Sequence, residues 1–184
     1  DPRWWGTTLA RHASLGMHEA MSRLWENLVG RDPAFWRRQW PRLRRAFPSL
    51  LGKVSVEDVL EHLRHAPPSP VRLQAGEVAY SLHILLRYAL EKELVLGTLK
   101  VRDVPEAWNA KSKELLGSEP PDDRRGCLQD IHWAGGSIGY FPTYVLGNLY
   151  GAQLFASFLK ATPTWTRDLG GGRLRPLKDW LHEN

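Results

Sequence analysis

Hydrophobic residues recur at helical spacing near the start of the chain. Met17, Leu24 and Leu28 fall at intervals of seven and four residues, the spacing of one face of an α-helix. Ser14 is placed to cap such a helix, and Gly30 is placed to end it. The pattern therefore predicts one amphipathic, Trp-bearing helix from Ser14 to Gly30.

Further segments carry helical periodicity or the residues that start and stop helices. They are Pro33 to Phe47 after the cap Asp32, Ser55 to Leu63, Glu77 to Leu96 before Gly97, Asp103 to Leu116 before Gly117, Pro142 to about Lys160, and a short last helix around Leu177 to Leu181. Pro41 predicts a kink or break in the second helix, because proline has no backbone donor. Pro67 to Pro70 is expected to end the third.

One segment alternates apolar and polar residues instead. Val71 to Ala75 has the period of two that is typical of a β-strand. Lys53 to Val56 or Thr98 to Val101 could pair with it. The expected fold is therefore mostly α, with a small β-sheet of two or three short strands.

The composition favours a cytoplasmic protein without a membrane segment. At 184 residues, the chain is the length of one domain, and Cys127 is its single cysteine, which excludes an internal disulfide framework and favours a reducing compartment. No apolar run is long enough to span a bilayer. Nine tryptophans predict an aromatic interior in which indole N–H groups find partners. The first residue is not Met, so we expect a processed chain or a piece of a longer protein.

A basic run raises the question of nucleic-acid binding. Its arginines are Arg37, Arg38, Arg42, Arg44 and Arg45, within a chain of formal net charge +5. Trp36 and Trp40 between them are four residues apart, which is the spacing of a core-facing stripe rather than of a stacking platform. The run is therefore interpreted as a solvated basic face, and nucleic acid is not expected as a partner.

Several residues have the chemistry of a site, although each also has a structural explanation. Glu19 could bind a metal or simply pair with Arg23 four residues later. Arg72 could bind a carboxylate through its guanidinium fork or face solvent on an edge strand. His132, close to Asp130 in a glycine-flanked segment, is equally compatible with an oriented functional group and a core histidine.

Four ordered motifs carry a family resemblance. They are Gly6-Thr7-Thr8-Leu9, Ala13 to Glu19 with Ser22 to Asn27, Val71-Arg72 with Ala75, Glu77-Val78 and Leu82-His83, and Gly126 to Trp133 followed by Gly139 to Tyr144. The chain resembles the carboxypeptidase Taq family of zinc metallocarboxypeptidases. The resemblance covers essentially all of residues 1–184, taken as a single partial domain that corresponds to the C-terminal third of a family member.

The resemblance implies a fold, a reaction and roles for particular residues. Family members are mostly helical, commonly homodimeric, and use zinc or cobalt to remove C-terminal amino acids from peptides. By resemblance, Glu19 is the third metal ligand, and Arg72, His132 and Tyr140 bind substrate at peptide C-termini. His18, Arg23 and Asp130 would support these groups.

The sequence departs from the family pattern in ways that bear on activity. The H-E-x-x-H helix, with two metal ligands and the general base, is not in the chain. Ala20 and Met21 stand where the family has Ser and Gln, and Gly76 replaces an Asp. We therefore expect the isolated chain to be inactive and to bind no metal tightly. The alternative is a pseudoenzyme or a helical module that binds a peptide or protein without catalysis.

Overall fold

The computed structural model describes residues 2–65 and 68–184, and these residues fold mainly into helices. Within them the α-helices are α1 (Leu15–Arg23), α2 (Pro33–Ala46), α3 (Pro48–Leu51), α4 (Val56–Arg64), α5 (Glu77–Leu96), α6 (Val104–Leu116), α7 (Pro142–Ala161), α8 (Trp165–Gly170) and α9 (Arg175–Glu183). A π-helical stretch, Leu24–Val29, continues α1. The predicted helix-stopping Pro67 lies outside the described residues.

The helix ends follow the capping residues that the sequence indicates. Ser14 Oγ accepts a hydrogen bond from the Met17 amide at 3.0 Å and so begins α1. Gly97 ends α5 at φ +73°, in the left-handed region that costs little only for glycine. Ser55 and Asp58 cap α4 reciprocally: the Ser55 amide donates to Asp58 Oδ2 at 2.8 Å, and the Asp58 amide donates to Ser55 Oγ at 3.0 Å. The predicted starts of α1 and α4 and the predicted end of α5 are confirmed.

Pro41 does not break α2, contrary to one of the two outcomes predicted for it. The helix runs unbroken from Pro33 to Ala46. Asp32 Oδ1 accepts from the Ala34 amide at 2.7 Å and caps its start. Trp40 is buried on one side of α2 and donates from Nε1 to the Val54 carbonyl at 3.3 Å. Burial of this aromatic stripe outweighs the one backbone donor that Pro41 removes.

The predicted small β-sheet is wrong. No residue in 2–65 or 68–184 belongs to a strand, and Arg72–Gln74 forms a 3₁₀ turn. In a half-buried strand the apolar residue would face the interior, but here the polar one does: Leu73 is 81% exposed, whereas Arg72 is 6% exposed. A buried ion pair draws the Arg72 side chain inward, and this contact with a residue far along the chain decides which side faces the interior. Both segments proposed to pair with it, 53–56 and 98–101, are also outside any strand.

The chain divides into two compact units. The first comprises residues 1–64 and 147–184, and the second comprises residues 65–146. The core of the first unit is built from aliphatic and aromatic side chains of α7, α8, α9 and the π-helical stretch: Leu24, Val29, Phe158, Trp165, Leu169 and Leu177. The core of the second unit has two clusters. One is Tyr80, Ile84 and Phe141, and the other is Leu86, Leu90 and Trp108.

Small residues let α7 approach α1 closely in the first unit. A Cβ built on Gly147 would lie 2.7 Å from Glu19 Cβ and 2.9 Å from the Glu19 carbonyl carbon. One turn later, a Cβ on Gly151 would meet the Ala20 carbonyl oxygen at 3.1 Å, and Ala20 itself is fully buried. Ala20 and the two glycines thus form a close contact between the helices, with Glu19 at its edge.

No helix in the described part of the chain combines the length and apolar character needed to cross a bilayer.

Candidate functional site

Arg72 and Asp130 form a buried ion pair in the second unit. Nε and Nη2 of Arg72 donate to Asp130 Oδ1 at 3.0 and 2.7 Å, and Nη1 donates to the Tyr80 hydroxyl at 3.1 Å. The Arg72 guanidinium also lies over the Tyr144 ring, 5.1 Å from its centroid. Arg72 is therefore not the solvent-facing arginine of an edge strand, and each of its guanidinium nitrogens has a partner.

A second arginine, Arg87, pairs with the other oxygen of the same carboxylate. Its Nε donates to Asp130 Oδ2 at 2.6 Å, and its Nη1 donates to the His83 carbonyl at 2.8 Å. The guanidinium is 4.7 Å from the Trp108 ring centroid and 5.4 Å from that of Phe141. Arg87 has no solvent exposure, so α5 carries a fully buried cation.

The charges of this cluster do not cancel. Burial acts to raise the pKa of Asp130, but the charges of Arg87 and Arg72 and their hydrogen bonds outweigh it, so its pKa lies below the ordinary value. Burial lowers the pKa of Arg87 to about 10 despite its attraction to Asp130, which still leaves it cationic at neutral pH. Two guanidinium ions thus share one carboxylate, and the trio keeps an excess positive charge.

His83 adds no charge to this cluster at neutral pH. It is fully buried, and burial together with the charge of Arg87 lowers its pKa to about 4. Its Nε2 lies 3.0 Å from the Ser69 carbonyl oxygen. Because a carbonyl only accepts, the ring proton is on Nε2.

Gln129 fixes the backbone that carries Arg72. Its Oε1 accepts from the Arg72 amide at 2.7 Å, while its Nε2 donates to the carbonyls of Pro70 and Arg125 at 3.0 and 2.7 Å. The Gln129-Asp130 pair thus holds both the main chain and the side chain of Arg72. Gln129 therefore positions the Arg72 backbone, while Asp130 binds the Arg72 side chain.

His132 and Tyr144 form the partly exposed side of the cluster. Nε2 of His132 is hydrogen-bonded to the Tyr144 hydroxyl at 2.9 Å, and its Nδ1 lies 3.9 Å from Asp130 Oδ1. The His132 ring packs against Tyr140 and Phe141, with centroid distances of 5.5 and 4.4 Å. The structure therefore brings Arg72 and His132 to the same carboxylate, Asp130, and places Tyr140 against the His132 ring.

Glu19 belongs to the first unit, on α1. It is half-buried, and Ser22 Oγ lies 3.3 Å from its Oε2. Arg23 donates from Nε to Asn148 Oδ1 at 2.7 Å and pairs with Glu26 at 3.1 Å. His18, the neighbour of Glu19 in the sequence, is exposed, and its ring contacts the His12 ring edge-on with centroids 5.5 Å apart.

Residues 2–65 and 68–184 contain no group of three histidine, cysteine, aspartate or glutamate side chains that could hold a metal ion together. Catalytic zinc sites use three protein ligands and leave one position open. The described residues therefore do not fit a complete catalytic metal site by themselves.

Comparison with known families accounts for the motifs gathered here. The family model of the carboxypeptidase Taq (M32) metallopeptidases matches residues 1–184. The chain belongs to the M32 metallopeptidase family. It is 48% identical over 180 residues to thermostable carboxypeptidase 1 of Thermus thermophilus and 40% identical over 178 residues to carboxypeptidase 1 of Bacillus subtilis. These alignments cover 96% and 97% of the chain, but 34% and 36% of the two relatives.

Solved M32 structures have the same fold over this region. The structure of the Pyrococcus furiosus carboxypeptidase, described as Apo-Mg, matches with a TM-score of 0.94 at 41% identity, covering 100% of this chain and 37% of that one. The M32 carboxypeptidase of Deinococcus radiodurans matches with a TM-score of 0.91 at 40% identity, again covering 100% and 37%. The chain thus spans about a third of the length of its M32 relatives.

Arg87 was not among the candidate residues identified from the sequence. His83, Arg87 and Glu91 lie four residues apart on α5, and all three are buried. Three ionisable residues at this spacing share one face of a helix. The sequence did contain a signal for them, because the three residues share a helix face with apolar residues. Charged residues on such a face are rarely buried without a partner, so this spacing indicates a buried polar cluster.

Proposed function

We propose that this chain forms the carboxylate-binding part of a metal-dependent carboxypeptidase and supplies one of its metal ligands. Membership of the M32 family supports the reaction class. The observation that carries the binding role is the excess positive charge of Arg72 and Arg87 around Asp130. A peptide with a free C-terminus brings a carboxylate, which such a cluster attracts strongly in a poorly solvated setting.

His132 and Tyr140 are the groups of this cluster proposed to contact the peptide. Both are partly exposed, whereas Arg72 is buried and bonded to Asp130 and Tyr80. Arg72 would then act through its charge and by holding Asp130, or would exchange a bond to Tyr80 for one to the substrate. Asp130 holds Arg72 in place by hydrogen bonds, and the Tyr144 hydroxyl, 2.9 Å from Nε2, positions His132.

Glu19 is the proposed contribution to the metal site. A metal such as zinc or cobalt would polarise the scissile carbonyl and activate water when bound. His18 and Arg23 are proposed to support Glu19 from the same helix. Because the described residues provide no group of three ligands, we propose that the 184-residue chain alone releases no C-terminal amino acids.

A carboxypeptidase assay on the purified chain, with zinc or cobalt added, tests the inactivity. Sustained release of C-terminal residues would contradict it. Calorimetric titration with one short peptide, carrying either a free or an amidated C-terminus, tests the binding role separately. We expect the free acid to bind more tightly, and His132→Gln to weaken it more than the exposed Arg37→Gln control does.

Binding without catalysis is the second candidate function. The same charged cluster would support a pseudoenzyme or a helical peptide-binding module. Tighter binding of the free-acid peptide is expected for both candidates, so the activity assay is needed to distinguish a binding module from an enzyme. A homodimer remains a proposal, and sedimentation measures it directly.

A further inference from the structure

Positive charge is concentrated in one segment of the first unit. Residues 33–55, from the start of α2 to the cap of α4, contain six basic side chains and no acidic one. The rest of the first unit has ten basic and ten acidic side chains, and the second unit has nine basic and ten acidic. This segment therefore carries the excess positive charge of the chain, and its five arginines are exposed.

An open groove of about 720 Å³ lies in this segment, where α2 is followed by α3. Two arginines, two prolines and one glycine line it: Pro41, Arg44, Arg45, Pro48 and Gly52. The proline rings give the groove apolar surface, and the arginines give it positive charge. The groove thus offers a ligand ionic and apolar contacts together.

Backbone carbonyls hold both arginine side chains of the groove. Arg44 donates from Nη2 to the Gly52 carbonyl at 2.8 Å, and Arg45 donates from Nε to the Pro41 carbonyl at 3.3 Å. Each guanidinium has five N–H donors, so most of them stay available for a ligand. No acidic side chain in the described part of the chain pairs with either arginine. Because the two side chains are already held, an anion that binds them costs less side-chain ordering.

Exposed apolar side chains accompany the groove residues. Phe47, next to Pro48, is 50% exposed, and Leu50 in α3 is 75% exposed. Aromatic residues and arginine are enriched at interfaces between proteins. The partner that complements this surface is therefore acidic and carries apolar residues as well.

The observations favour a peptide over a nucleic acid or a membrane. Trp40 is buried, and the partly buried Trp36 packs against it and donates from its indole to the Gly30 carbonyl at 2.7 Å. These two tryptophans of the basic run therefore serve packing within the first unit, and they form no platform for stacked bases. A flat bilayer surface fits a groove poorly, whereas an extended peptide can lie in one.

We propose that this groove binds an acidic peptide segment of a partner protein. The carboxylates of the segment would pair with Arg44 and Arg45, and its apolar residues would pack on Pro48 and Leu50. Arginine clusters recognise acidic motifs in this way, because each guanidinium can donate two parallel hydrogen bonds to a carboxylate. The groove belongs to the first unit and takes side-chain carboxylates, whereas the Arg72 cluster of the second unit is proposed to bind a C-terminal one.

Calorimetric titration of the 184-residue chain with blocked peptides tests the charge preference. The probes are hexaglutamate, hexaglutamine and hexalysine, each acetylated and amidated. The blocked ends remove the terminal carboxylate, so the outcome is independent of the proposed carboxypeptidase role. We expect saturable binding of hexaglutamate, about tenfold or more tightly than hexaglutamine and weaker at higher salt. Hexalysine should not bind. Equal affinities for hexaglutamate and hexaglutamine, or no saturable binding of hexaglutamate at millimolar concentration, would overturn the proposal.

Arg44→Gln combined with Arg45→Gln tests the groove itself. Arg102→Gln combined with Arg124→Gln is the matched control, because it removes the same charge from two exposed positions of the second unit. We expect the groove variant to bind hexaglutamate about tenfold more weakly than the parent, and the control to stay within about twofold. Equal losses in the two variants would assign the binding to net charge and contradict the proposal.

Leu50→Ser tests the apolar part of the proposed contact. A blocked peptide that alternates glutamate and leucine should lose about threefold in affinity for this variant, the effect of covering a few tens of Å² of apolar surface. Leu149→Ser, which changes another exposed leucine of the first unit, is the control and should leave the affinity unchanged. The same affinity in Leu50→Ser as in the parent would contradict the apolar contact.

NMR spectra of the parent chain locate the binding without any substitution. Adding hexaglutamate should shift the backbone amide resonances of residues 44–53, and shifts confined to the second unit would contradict the proposal. Two competing anions test the class of partner: a deoxythymidine oligomer of matched charge, and vesicles that contain phosphatidylserine. If either binds more tightly than hexaglutamate, and the double variant of Arg44 and Arg45 abolishes that binding, the partner is a nucleic acid or a membrane and the proposal is wrong.

Discussion

Asp130 Oδ2 accepts a hydrogen bond from Nε of Arg87 at 2.6 Å, and Arg87 has no solvent exposure. The same carboxylate accepts from Arg72 through its other oxygen. One anion therefore stabilises two buried cations that repel each other. Removing Asp130 should therefore lower the stability of the second unit more than removing one partner of an exposed ion pair would.

Asp130→Asn should destabilise the chain strongly. Removing one partner of a buried ion pair leaves an uncompensated charge and costs roughly 3–5 kcal/mol in the free energy of unfolding. Urea unfolding followed by circular dichroism measures the change. Asp122→Asn is the control, because Asp122 pairs with Arg125 at the exposed surface and its loss should barely move the midpoint. Equal effects of the two substitutions would contradict the buried charge network.

Stability should fall as the pH drops from about 6.5 to about 4. Burial lowers the pKa of His83 from 6.5 to about 4, so the unfolded chain takes up a proton in this range while the folded chain does not. The full difference amounts to about 3 kcal/mol. The lowered pKa of Asp130 acts in the same direction at still lower pH, because stability is lost as its folded-state carboxylate becomes protonated.

His83→Gln checks the origin of that pH dependence. Glutamine does not titrate, and its amide can still donate to the Ser69 carbonyl. Unfolding free energies measured from pH 4 to 7 should therefore show a flatter slope in the variant. A slope identical to that of the parent would assign the effect to other groups.

Gly147→Ala should destabilise the first unit. The added Cβ would meet the backbone and Cβ of Glu19 at less than 3 Å, so α7 must shift, at about 1–3 kcal/mol. Gly170→Ala is the matched control: its Cβ would meet only Ala34 Cβ at 3.9 Å, and alanine favours helix by up to about 1 kcal/mol. Thermal unfolding should move the two variants in opposite directions.

Tyr144→Phe should weaken the partly exposed side of the site. It removes the hydroxyl that is hydrogen-bonded to His132 at 2.9 Å, which costs about 1 kcal/mol of stability. If the proposed peptide site is correct, affinity for the free-acid peptide falls while the amidated peptide is unaffected. Tyr150→Phe on the same helix is the control. Loss of affinity for both peptides alike would indicate general loosening rather than a role in recognition.

The sequence by itself determined the helices and the family. Ser14, Asp32, Gly97 and Gly117 act within one turn of their own position, so local chemistry was enough to place helix ends. The ordered motifs were enough to identify the family, because they depend on residue identity and order. Local rules failed at Val71 to Ala75, where alternation predicted a strand.

Only the tertiary structure decided which polar residues are buried together. Arg72 turns inward because Asp130, 58 positions later, supplies its counter-charge. The burial of Arg87 and the hydrogen bond from the Gly139 amide to Glu91 likewise depend on loops that are distant in the sequence. Such contacts arise from long-range packing and electrostatics, which leave no local pattern in the sequence. The spacing of residues could therefore indicate individual candidate residues, but not which of them contact one another.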